Sequence, residues 1–266
     1  MTKTYTTKTY NDVLYLFIIA TLTELFLYSV NRGVLLTAFI FGFLGIVALE
    51  LWFFRAMSLF AQKKISKYSD VVMKISKKRR FFGYFILPAL FYISLLVFLF
   101  YNRNFILGHV VLTVCMSLLL ILFLNVKGSL SDYYSQRSST KSIYDFICIS
   151  TLYLVLNALL RIGLSDIYFF ASSFIAAFAL FIFTLKLHDR IEWISLGISC
   201  LSAISVVLSM LAVWGDNIFV IPAVGTLIFY MIVSIWNIKF SGKLNLTDYV
   251  LPVAYTLLAL ILVLTC

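Results

Sequence analysis

The sequence predicts an all-α polytopic membrane protein, a transmembrane bundle of nine helices. Three observations predict this class: the composition, the length of the apolar runs and the distribution of basic residues. Of the 266 residues, 63% are hydrophobic and 12% are charged, whereas soluble domains carry roughly 25% charged residues. A soluble chain of this size could not bury so much apolar surface. A lipid bilayer must therefore surround most of the chain.

Nine apolar segments are long enough to cross a bilayer, which takes about 20 residues within a range of about 17 to 25. The segments are 13–30, 34–54, 81–101, 105–126, 143–160, 167–185, 193–213, 218–238 and 249–266. The first, fifth and last are the shortest, about 27 Å each as α-helices. An alternative has eight spans, with one of these short segments lying on the membrane surface. In either arrangement we predict a single integral membrane domain.

The basic residues are concentrated in every second loop, and this pattern predicts how the helices are oriented in the membrane. With the N-terminus placed in the cytoplasm, the inner loops hold 18 of the 21 Lys and Arg residues. The outer side then keeps only Arg32, Arg103 and Arg161. This asymmetry is the positive-inside distribution of membrane proteins. It predicts a cytoplasmic N-terminus, and the short loops favour the plasma membrane, specifically a bacterial inner membrane.

The most basic stretch is 55–80, which carries nine of the 21 basic residues and only one acid, Asp70. Its apolar residues recur every three or four positions, with lysines on the other side. This pattern predicts an amphipathic helix in the plane of the headgroups between spans two and three; the alternatives are a polar linker or an extension of span two. Its predicted contacts with anionic lipid headgroups are Lys63, Lys67, Lys74 and Lys78, each contributing about 1 kcal/mol.

The predicted partner is therefore the lipid bilayer, with anionic headgroups at the cytoplasmic face. We attribute the net charge of +10 to this membrane contact and predict no nucleic-acid partner. A membrane-protein partner is left open.

Most of the acidic residues have a structural explanation at helix starts, where a carboxylate accepts hydrogen bonds from free N–H groups and faces the positive end of the helix dipole. Asp145 follows Ser142 at the spacing of a capping box. The other acids predicted to stand where a helix begins are Asp12, Asp166, Asp216 and Asp248. Two acids, Glu24 and Glu50, lie instead inside the first two spans.

Glu24 and Glu50 lie at different depths. By the helical rise, Glu24 is about 9 Å from the outer end of its span and Glu50 about 24 Å from the outer end of the next. They therefore do not form a carboxylate pair. Glu50 is one helical turn from Arg55, which predicts a local inner-side pair or a carboxylate that extends to the interface.

The outer half of the bundle also holds His109, Asn157 and Arg161. Together with Glu24 they form a candidate polar cluster, because a carboxylate, an imidazole and an arginine are typical of proton-coupled carriers and anionic headgroup sites. The alternative is structural: a neutral Glu24 bonded to a neighbouring helix and His109 as an interfacial residue.

No enzyme motif is present: the sequence lacks HExxH, GxSxG, P-loop and GxGxxG patterns. The cysteines have no zinc-ligand spacing, and the inner acids are too isolated for a magnesium site. We therefore predict no catalytic residue, metal or cofactor. We favour a structural or interaction component over an enzyme. The alternatives are a proton-coupled or lipid-handling carrier that uses Glu24, and an enzyme without a recognisable motif.

Overall fold

The computed structural model describes residues 3–61, 82–102, 104–131, 138–187, 193–215, 217–240 and 246–265. Every regular element in these ranges is helical, and none of them is a strand. A π-helical turn, Phe82–Ile86, leads directly into the third helix. The α-helices are α1 (Lys3–Asn31), α2 (Leu35–Ala61), α3 (Leu87–Tyr101), α4 (Phe105–Ser131), α5 (Ser138–Ile162), α6 (Asp166–Leu187), α7 (Trp193–Ala212), α8 (Val220–Phe240) and α9 (Leu246–Thr265).

Within the described residues, nine helices are long and apolar enough to cross a membrane. Each predicted span end lies within two residues of the end found in the structure; the largest differences include 143–160 against Lys141–Ile162. The prediction of a polytopic all-α fold with nine spans is confirmed. The eight-span alternative is not needed, because all three short segments are helices of sufficient length.

Two predicted helix caps are wrong. Helix α1 begins at Lys3 and α5 at Ser138, so Asp12 and Asp145 lie well inside their helices. The physical reason is that a helix does not end where the apolar run ends, since polar residues continue its hydrogen bonding beyond the membrane. Asp166 and Asp248 do lie in the first turns of α6 and α9.

Four sequence predictions lie outside the described residues or beyond what they test. The segment 62–81 is not described, and it contains Lys63, Lys67, Lys74 and Lys78. Asp216 is not described either. The surface helix, the lipid contacts of the four lysines and the cytoplasmic N-terminus therefore stay predictions.

The chain forms two compact units, Met1–Ile147 and Cys148–Cys266, and α5 contributes to both. Each unit is described by itself. That the whole chain forms a single integral membrane domain stays a prediction.

In the first unit, α1 and α2 pack along each other, and α3 and α4 each contact both. The fully buried Tyr92 of α3 reaches α1, where its hydroxyl lies 2.8 Å from the Thr23 hydroxyl. Thr23 donates its own proton to the Ile19 carbonyl at 2.8 Å. Tyr92 must therefore be the donor to Thr23. The ring passes α2 at Gly45, where an added Cβ would stand 2.1 Å from the Tyr92 hydroxyl oxygen.

The second unit packs its helices in chain order, α6 on α7, α7 on α8 and α8 on α9. The buried face of α7 combines small residues with Val206 and Met210. Its Ser199 and Ser202 are buried, and their hydroxyls donate to the Ser195 and Ile198 carbonyls at 2.7 Å. A serine that is bonded to its own helix can be buried at little cost, since no polar atom is left unsatisfied.

Candidate functional site

Helices α1 and α4 bring two residues of the predicted cluster together. The Nε2 of His109 lies 3.1 Å from the Oε2 of Glu24. Nearer the start of α1, Asp12 forms an ion pair with Lys127 of α4. The residue numbers rise along α1 as they fall along α4, so the two helices run antiparallel. This arrangement agrees with the predicted alternation of spans, which put Glu24 and His109 at similar depths.

The histidine ring has a defined protonation pattern in this pair. Its Nδ1 lies 2.9 Å from the carbonyl oxygen of Phe105, one turn earlier in α4. A carbonyl oxygen can only accept, so Nδ1 carries a proton. The contact between Nε2 and Glu24 is then a hydrogen bond that holds one proton, either as imidazolium with carboxylate or as neutral imidazole with carboxylic acid. Both forms leave the pair with no net charge.

The pair is only partly buried. The His109 side chain is 36% exposed and that of Glu24 is 44% exposed. The described residues contain no group of three His, Cys, Asp or Glu side chains that could hold a metal ion.

The Asp12–Lys127 pair was missed by sequence reasoning, which treated Asp12 as a cap. Its side chains are 18% and 32% exposed, respectively, and the Lys127 ammonium also lies 5.9 Å from the centre of the Phe123 ring. The predicted topology places Asp12 and Lys127 on the same side of the membrane, but the contact between α1 and α4 comes only from the packing.

Asn157 and Arg161 form a separate pair in the second unit. Arg161 Nε donates to Asn157 Oδ1 at 2.7 Å, and the guanidinium lies 5.2 Å from the centre of the Phe219 ring. The four predicted cluster residues are thus two pairs, one in each unit. A single cavity lined by all four stays a prediction.

The predicted inner-side pair, Glu50 and Arg55, lies on α2. Arg55 contacts Tyr15 of α1: its Nη1 lies 3.5 Å from the Tyr15 hydroxyl, and its guanidinium 5.7 Å from the ring centre. Sequence reasoning did not identify Tyr15. Glu50 is half-buried, and its pairing with Arg55 stays a prediction.

No protein-family model, curated protein or solved structure matches this chain.

Proposed function

We propose that the protein is a proton-coupled membrane carrier and that Glu24 and His109 form its proton-binding site. The observation that carries the proposal is the 3.1 Å contact between Glu24 Oε2 and His109 Nε2, in which Nδ1 is already engaged by a backbone carbonyl. Ionisable residues within membrane spans are costly and usually serve ion or proton pathways. The positive-inside charge distribution and short loops support a place in a bacterial inner membrane.

The pair can couple proton binding to movement of the helices. When it loses its proton, the lone pair of Nε2 faces a carboxylate, and an attractive contact between α1 and α4 becomes a repulsive one. At the other end of the same helices, the Asp12–Lys127 pair keeps them together. Deprotonation would then open one end of the α1–α4 contact while the other end stays closed. The α1–α4 helix pair would thus have the two states that a proton switch requires.

The test is solute-dependent proton movement in vesicles that contain the purified protein and a pH-sensitive dye. We expect at least one member of a panel of sugars, amino acids, organic acids and phospholipid analogues to move protons with the wild-type protein. Glu24→Gln should abolish this movement. The amide of glutamine can still donate a hydrogen bond to neutral His109, but it cannot take up or release the coupling proton.

The matched control is Thr21→Ala, an exposed position one turn earlier on α1, whose hydroxyl donates to the Phe17 carbonyl of its own helix. This variant should keep wild-type proton movement. Full proton movement in Glu24→Gln would contradict the proposal. If no solute moves protons with the wild-type protein, the structural or interaction component favoured by the sequence becomes the better description.

A further inference from the structure

We propose that the protein forms a symmetric dimer in the membrane through a polar row on α4, which consists of His109, Thr113 and Ser117. The row lies in the first unit, and Glu24 of α1 lies beside it, 3.1 Å from His109. The proposal uses the positions of these side chains and does not depend on the carrier function.

The polar row is exposed at membrane depth. Thr113 and Ser117 are both exposed, and they follow His109 at intervals of four residues, which places the three side chains on one side of the helix. By the helical rise, Thr113 lies about 12 Å and Ser117 about 18 Å from the outer end of their span, Phe105–Lys127. Both hydroxyls are therefore well inside the membrane.

The row has hydrogen-bonding capacity that lipid chains cannot use. Each hydroxyl donates to a carbonyl of its own helix, Thr113 to His109 at 2.8 Å and Ser117 to Thr113 at 2.9 Å, so each hydroxyl oxygen can still accept. Ionisable side chains within spans almost always face protein or a water-filled cavity, and serine and threonine hydrogen-bond across helix contacts. We therefore expect another protein surface to cover the row.

A second copy of the chain is the partner whose chemistry matches. Two copies inserted in the same orientation are related by a two-fold axis along the membrane normal, so each residue near the axis meets residues of its own depth. Thr113 then faces its counterpart in the second copy, and Ser117 does the same. Because a hydroxyl can both donate and accept, a row of hydroxyls is complementary to itself.

The charges beside the row also allow two copies to meet. Glu24 and His109 share one proton in their contact, so the pair has no net charge and does not repel the same pair of the second copy. The exposed side chains of α3 offer no comparable reason for a protein contact, since they are Ile93, Val97 and Tyr101. The α4 row is thus the surface of the first unit that we assign to the dimer.

The first test is disulfide cross-linking in membranes, in a background without the four native cysteines. We expect Thr113→Cys to give a covalent dimer under mild oxidation, because a residue near a two-fold axis lies close to its own counterpart. The matched control is Ile93→Cys, an exposed position on α3 that is also about 12 Å from the outer end of its span. It should stay monomeric. Equal cross-linking at both positions would indicate random collision and overturn the proposal.

The second test counts chains in the full-length protein with native cysteines. Purified protein with one dye per chain is placed in liposomes at increasing protein-to-lipid ratios, and the bleaching steps of single spots are counted. We expect two-step spots, and we expect the double variant Thr113→Val and Ser117→Ala to weaken the dimer about tenfold, since one hydrogen bond between membrane helices contributes about threefold.

The control for the lost hydroxyls is Ser205→Ala on α7. Ser205 is also exposed, and its hydroxyl also donates to its own helix, at the Leu201 carbonyl, so this variant should dimerise as the wild-type protein does. Single-step spots at every ratio, or a dimer that the double variant leaves unchanged, would contradict the proposal. A different protein that co-purifies in place of the second copy would contradict it too. Neither test uses a solute or a pH gradient, so its result is separate from that of the proton-movement assay.

Discussion

The Asp12–Lys127 pair illustrates how single residues determine the helix packing of the first unit. It is partly buried, with side chains 18% and 32% exposed. Exposed ion pairs typically contribute 0.2–1 kcal/mol, whereas removing one partner of a buried pair costs about 3–5 kcal/mol. The contribution of the Asp12–Lys127 pair to stability should lie between these two limits.

We predict that a double-mutant cycle of Asp12→Asn and Lys127→Met gives a coupling free energy of about 1–2 kcal/mol. The reason is that either single change leaves the other charge without its partner at the edge of the apolar region. The measurement is the free energy of unfolding in mixed detergent micelles.

The same cycle on Thr21→Ala and Lys127→Met is the control, since the Thr21 hydroxyl donates to its own helix at Phe17. Its coupling energy should be close to zero. A coupling energy near zero for Asp12 and Lys127 as well would show that the pair adds nothing to the α1–α4 contact.

Counting residues from the end of a span gives the depth of a side chain but not its neighbours. Counting residues from the span ends placed Glu24 and His109 near the same side of the membrane, and the structure joins them at 3.1 Å. The same counting gave Asn157 and Arg161 a similar depth; these two pair with each other in the second unit, and a cavity shared with Glu24 and His109 stays a prediction. Depth is a one-dimensional quantity that follows from helical rise, whereas the neighbours of a helix depend on packing.

At the scale of the elements, the close approach of α1, α2 and α3 depends on one glycine. Tyr92 of α3 can reach Thr23 of α1 only because Gly45 of α2 has no side chain, as the 2.1 Å distance to an added Cβ shows. The same hydrogen bond fixes the rotation of α1 one residue before Glu24. The α1–α2–α3 contact therefore determines how Glu24 is presented to α4.

We expect Gly45→Ala to lower the free energy of unfolding by about 1–3 kcal/mol, the usual cost of overpacking a core. The added methyl group forces the buried Tyr92 hydroxyl away from Thr23 or the helices apart. The measurement is again unfolding in mixed micelles.

Two other helical glycines provide controls. A Cβ at Gly42 would stand 3.3 Å from side-chain atoms of Leu96 and Phe26, a much longer distance than at Gly45, and one at Gly197 would meet nothing within 4 Å. Gly42→Ala should therefore cost less than Gly45→Ala, and Gly197→Ala should cost nothing, since alanine is the better helix former. If all three substitutions change the free energy of unfolding equally, the helices do not pack more closely at Gly45 than at the other two glycines.

At the scale of the whole molecule, the charge asymmetry predicts which membrane surface each loop faces. The two ends of α5 provide a direct test. Leu164 follows this helix in a predicted outer loop, and Ser142 lies near its predicted inner end; both are exposed.

We predict that a membrane-impermeant maleimide added to intact cells labels Leu164→Cys and not Ser142→Cys. Both variants are made in a background without the four native cysteines. After the cells are permeabilised, Ser142→Cys should become labelled, which controls for its reactivity. The opposite result in intact cells would invert the predicted topology.

The number and boundaries of the spans could be predicted because they depend on local properties. A helix that crosses lipid must satisfy its own backbone hydrogen bonds, so an apolar run of sufficient length specifies a span without any knowledge of its neighbours. The end of the helix outside the lipid lacks this constraint. For that reason Asp12 and Asp145 were misplaced as caps.

The fold class and the nine spans could be derived from the amino-acid sequence, because apolar length is a property of a single helix. Which residues meet followed from the packing: Glu24 with His109, Asp12 with Lys127, and Arg55 with Tyr15. Those contacts depend on how each helix is rotated about its axis and which helix lies beside it. Rotation and neighbours are set by shape, as at Gly45 and Tyr92, and in lipid they cannot be read from the hydrophobic pattern, since every face of a spanning helix is apolar.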